Sequence, residues 1–112
     1  MEEKRFITVP LTIEAKINFD LGEEIEDQIL TWQLTENEFN SLYNSGVFTL
    51  LNNECELMID DFESESIEGN NIQVALSRLQ NWENKNCCKE IEKLINMVTT
   101  ALEKNTCINF DF

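Results

Sequence analysis

Histidine is absent from this chain, and between Ile17 and Ser77 so are lysine and arginine. The first absence removes the side chain most used as a general base near neutral pH and as a metal ligand. With no Gly-rich phosphate loop and no GxSxG either, triad and phosphoryl-transfer chemistry lose their usual parts. No catalytic residue, metal or cofactor is expected. The four cysteines, Cys55, Cys87, Cys88 and Cys107, make no CxxC pair, which argues against structural zinc. Adjacent Cys87 and Cys88 suit a helix better than a disulfide framework, so the thiols read as reduced, small apolar groups. Cys87 at a helix N-terminus would have a lowered pKa, but no His base stands behind it. Three glycines and one proline in 112 residues leave little room for linkers, so a single domain, 1–112, is expected. No apolar run approaches the roughly 20 residues that span a bilayer. Met1-Glu2-Glu3-Lys4-Arg5 lacks the apolar segment of a signal peptide. These features point to a soluble, cytoplasmic protein.

The missing bases matter more. The window Ile17–Ser77 holds fourteen acids, while the remainder carries eight acids and eight bases, so the whole net charge of −14 arises from that window. Such a field attracts a basic surface and repels nucleic acid and anionic membrane. Apolar content of 42%, with seven Phe and two Trp, is too high for disorder.

What is present reads as alternating strands and helices. Ile7, Val9, Leu11, Ile13, Ala15, Ile17 and Phe19 occupy odd positions, which predicts one long half-buried strand. Pro10 inside it favours an edge position or a bulge. Asp20-Leu21-Gly22-Glu23 reads as a turn, followed by a second strand over about Ile25–Leu34 with a bulge near Gln28–Leu30. The pair forms a long hairpin with an acidic tip of Asp20, Glu23, Glu24, Glu26 and Asp27. Thr35 and Glu38 fit a capping box with Leu34 and Phe39 as its staple, opening a helix over Glu36–Asn44 that Gly46 stops. Val47–Leu51 reads as a further helical turn. Leu57, Met58 and Ile59 suggest a short strand, and Asp60–Glu68 an acidic loop or short helix. Asn70 or Asn71 caps a helix carrying Ile72, Leu76, Leu79 and Trp82. The stripe Ile91, Leu94, Ile95, Val98, Ala101 and Leu102 marks another, ended by Asn105. Ile108, Phe110 and Phe112 return to period two, a terminal strand that must dock on the sheet. The expected fold is α+β, a mostly antiparallel sheet (long N-terminal hairpin plus C-terminal strand) with three to four helices packed on one face.

The candidate partner-binding residues are the tip acids, the run Asp60, Asp61, Glu63, Glu65 and Glu68, and the aromatics Trp32 and Tyr43. An exposed aromatic beside acids makes an interface anchor, because Trp and Tyr dominate hot spots while charge steers encounter. A calcium loop is argued against: Phe62 falls where a ligand should follow Asp60, and no Gly sits at the sixth position. Size, charge and the lack of catalytic parts look like those of a small bacterial immunity protein or antitoxin that caps a basic toxin such as a nuclease. The alternatives are a phage-encoded nucleic-acid mimic blocking a CRISPR or restriction effector, and an adaptor domain whose acidity is incidental. The acidic field argues against direct nucleic-acid and membrane binding, and a monomer or weak homodimer is expected. Replacing Asp60, Asp61, Glu63 and Glu65 is expected to weaken binding with little loss of stability.

Overall fold

The alternating N-terminal run divides at Pro10. In the computed structural model, which describes residues 4–23, 28–60, 64–83 and 89–112, its first part is strand β1 (Arg5–Pro10) and its second is helix α1 (Ile13–Asp20). Strand β2 (Ile29–Leu34), helices α2 (Glu36–Ser45) and α3 (Val47–Cys55), strand β3 (Ser64–Glu68), helices α4 (Asn70–Glu83) and α5 (Lys89–Lys104) and strand β4 (Cys107–Asp111) follow. The fold is α+β, with one antiparallel sheet in the order β2-β1-β4-β3.

Register places Ile7 opposite both Trp32 and Phe110, and Ile67 opposite Ile108, so these side chains share one face. Buried residues of α2, α3, α4 and α5 close over that face in a single apolar cluster. α1 is different. Its Ala15 is buried, as is Cys107, yet neither belongs to that cluster. Cys107 is in register with Glu68 on the opposite face, and Lys16 of α1 pairs with Glu68 at 3.1 Å. Four helices therefore cover one face, and the fifth lies against the end of the other.

The long strand was overturned by local chemistry. Thr12 Oγ1 accepts the Ala15 N–H at 2.9 Å, an N-cap placed directly after the proline break. On a helix, period-two apolar residues point to two sides: Ala15 faces the sheet, while Ile13 and Ile17 are 51% and 54% exposed. The hairpin pairing survives, but its connection contains α1. Nor is Pro10 at an edge, since β1 lies between β2 and β4. The Leu11 N–H donates to the Gln28 carbonyl, so odd residues bond toward β2 and the Pro10 nitrogen faces β4. There the paired residues end at Thr8 and Asn109, and no ladder bond is lost. The Pro10 carbonyl accepts the buried Thr106 hydroxyl at 2.6 Å.

Three further expectations change. The register from Arg5–Leu34 to Pro10–Ile29 is continuous, so β2 has no bulge from Ile29 onward, and Ile25 lies outside the described residues. Leu57–Ile59 is irregular, and the strand forms instead at Ser64–Glu68, where Ile67 alone is buried. An edge strand covered by helix on one face needs few apolar positions. The C-terminal strand is interior, between β1 and β3, so neither it nor the segment near Pro10 offers an open edge for dimerisation.

The helix signals held. The Thr35–Glu38 capping box is complete, and Gly46 ends α2 at φ 87°. α3 runs further than the expected turn, Asn105 stops α5 at φ 55°, and α4 differs in its start: Asn70 and Asn71 lie inside its first turn, after Gly69, rather than capping it. No described helix is long and apolar enough to cross a membrane.

Candidate functional site

Tyr43 lies near the C-terminus of α2, on the turn that also buries Phe39 and Leu42. Its ring packs against Phe39 at 5.7 Å and Phe48 at 6.5 Å, within an aromatic cluster that includes Phe110 and Phe112. The other side of the ring meets solvent: Tyr43 is 48% exposed. Its hydroxyl donates to Asp60 Oδ1 over a long 3.4 Å, a weak bond.

Asp60 ends an irregular segment that Asn52 of α3 holds in place. The Asn52 amide donates to the Ile59 carbonyl at 3.0 Å and accepts the Ile59 N–H at 2.7 Å, standing in for a neighbouring strand. Ile59 is thereby buried while Met58, next to it, is 72% exposed. The Met58 N–H donates to Glu65 Oε2 at 2.9 Å. Asn52, Leu57, Met58, Ile59 and Asp60 line an open concavity of about 220 Å³. Tyr43, Met58, Asp60 and Glu65 thus form one neighbourhood, with two exposed apolar surfaces among carboxylates. Nothing in the sequence marks Met58 as exposed, because a lone Met between Leu57 and Ile59 reads as part of an apolar strand.

The remaining candidates separate from this group. Trp32 is buried and its ring is capped by Lys93 Nζ at 4.5 Å, so it presents no surface to a partner. Among the described residues its indole N–H meets no acceptor within hydrogen-bond reach, and the neighbouring Glu38 carboxyl is held below its ordinary range. The main cause there is the Thr35 backbone N–H, with Lys93 adding to it. Asp20 and Glu68 lie at the α1 end of the sheet, where Lys16 links to Glu68 and its amine pKa is raised mainly by that hydrogen bond. Glu23 is exposed after α1. Glu24, Glu26, Asp27, Asp61 and Glu63 lie outside the described residues, as do Phe62, Cys87 and Cys88.

No family, no curated protein and no solved structure matches this chain. The geometry alone carries the functional argument.

The charge pattern looks different in space than in sequence. Lys16 and Arg78 are the bases that flank the acidic window, and both fold back onto it, Lys16 onto Glu68 and Arg78 onto Glu54 at 3.2 Å. Both pairs are partly exposed and contribute little to stability. Among the described residues no three Cys, Asp or Glu side chains converge as metal ligands. Cys55 and Cys107 are buried free thiols. Burial raises both, Cys107 to about 11, which makes them unreactive.

Proposed function

We propose that this chain is a cytoplasmic immunity- or antitoxin-type inhibitor that binds a basic protein, such as a toxic nuclease, and blocks it stoichiometrically rather than by catalysis. The observation that supports this is a rigidly backed, half-exposed Tyr43 bonded to Asp60, on the same segment as the exposed Met58, whose backbone is held by Glu65. Apolar anchors inside a charged rim give a slow off-rate, and the rim gives the fast, salt-sensitive on-rate. The mimic reading needs acids spaced like phosphates along an extended line. The grouping of Tyr43, Met58, Asp60 and Glu65 in one neighbourhood favours the cap over the mimic.

The test is capture from host lysate on the immobilised protein at low and high salt, with Tyr43→Ala and Asp60→Lys variants in parallel. The expected result is one basic enzyme, released by salt, inhibited at one-to-one stoichiometry, and retained far less by both variants. Retention that ignores salt and both substitutions would overturn the assignment. Glu65 is a poor probe, because its carboxylate also supports the Met58 backbone.

A further inference from the structure

We propose that the outer face of α1 is a docking ridge for a basic amphipathic helix of a partner protein. Ile13, Ile17 and Leu21 succeed one another by one helical turn, and they are 51%, 54% and 71% exposed. The sheet-facing side of the same helix buries Ala15. A helix apolar on both sides is one that expects cover on both. Here one side is covered by the sheet and the other meets solvent.

Charge decides what covers it. By helical geometry Glu14 and Asp20 fall on either side of the ridge, and Glu23 follows α1 exposed. Lys16, the cation of this helix, is engaged with Glu68. An apolar stripe with acids along both margins complements a helix whose apolar stripe is bordered by lysine or arginine. A second copy of this chain would bring Glu14 and Asp20 against their equivalents, with a net charge of −14 on each copy. An anionic membrane meets the same repulsion. This surface is across the sheet from α2 and Tyr43, so it is independent of the site described above.

The probe is a fluorescently labelled amphipathic Leu/Lys helical peptide, compared at physiological ionic strength with a scrambled peptide of identical composition. Affinity is read by anisotropy, and the site by amide chemical shifts. The expected result is at least tenfold tighter binding of the amphipathic peptide and shifts centred on residues 13–23. Ile17→Ser should weaken binding about tenfold, in line with burial of a half-exposed Ile side chain, and Tyr43→Ala should leave it unchanged. Both Ile17 and Tyr43 are exposed, so the folded state of each variant is checked directly by its amide spectrum. Equal binding of the two peptides would show attraction by net charge alone and overturn the proposal. Shifts centred on Tyr43 and Asp60, or an unchanged Ile17→Ser affinity, would overturn it as well. Self-association of the chain abolished by Ile17→Ser would assign the ridge to a second copy instead.

Discussion

Asn52→Ala should destabilise the protein by about 2 kcal/mol. The Asn52 amide makes two hydrogen bonds to the backbone of Ile59, at 3.0 and 2.7 Å. Each contributes about 1 kcal/mol net, and more where the partner is left buried and unpaired. Ile59 is 3% exposed, so water reaches its amide and carbonyl poorly once the side chain is gone. For a chain of this length about 1 kcal/mol corresponds to roughly 4 °C in Tm, so a fall of about 8 °C is expected by circular dichroism. Hydrogen exchange at the Ile59 amide should accelerate by more than the global loss, because the segment carrying Met58 and Asp60 is released first. Asn52→Asp separates the two bonds. It keeps the acceptor for the Ile59 N–H but sets a carboxylate oxygen against the Ile59 carbonyl. Its loss at neutral pH should match or exceed that of Ala. The loss should shrink, relative to wild type at the same pH, once the carboxyl is protonated and can donate. An Asn52→Ala Tm within 2 °C of wild type, or an Asn52→Asp variant as stable as wild type at neutral pH, would refute the clamp.

Two further outcomes concern the capping box of α2 and the buried thiols. Glu38 is held below its ordinary 4.5 by the Thr35 N–H, so its stabilising effect is present above the unfolded-state pKa and is lost as pH falls through the folded one. Glu38→Gln should therefore flatten the acid limb of the stability–pH curve, and Thr35→Ala should cost about 1 kcal/mol by chemical denaturation. Cys55 and Cys107 should resist iodoacetamide at pH 8 in the folded protein and react fully in denaturant, as read by peptide mass spectrometry, since burial raises both thiols. Rapid native labelling of Cys107 would show that the end of the sheet under α1 opens readily.

Local signals carried much of the fold. The Thr35 and Glu38 capping box, the Gly46 stop, the α5 stripe and the alternation of Ile108, Phe110 and Phe112 each name an element through bonds or periodicity within a few residues. Those signals are short-range, and so is the chemistry behind them. Where two local signals conflicted, the reading failed. Alternation from Ile7 to Phe19 predicts one strand, whereas Pro10 followed by Thr12 and Glu14 carries a strand end and a helix cap. The α1 ridge is hidden by the same alternation, which turns Ile13 and Ile17 inward on a strand and outward on a helix.

Net charge and its confinement to one window were legible in the sequence, because they depend only on composition. Which acids stand beside an exposed aromatic depended on long-range packing. Tyr43 and Asp60 are seventeen residues apart and meet because Asn52 pins the segment after α3. Lys16 meets Glu68 because β3 pairs with β4 and α1 crosses the far face. Trp32 went inside because β2 pairs with β1 in the register that sets it beside Ile7. Residue types and periodicity determine which elements form and what charge they carry. The closing of the sheet, a contest among contacts far apart in the chain, decided which charges were neutralised and which apolar side chains were left facing water.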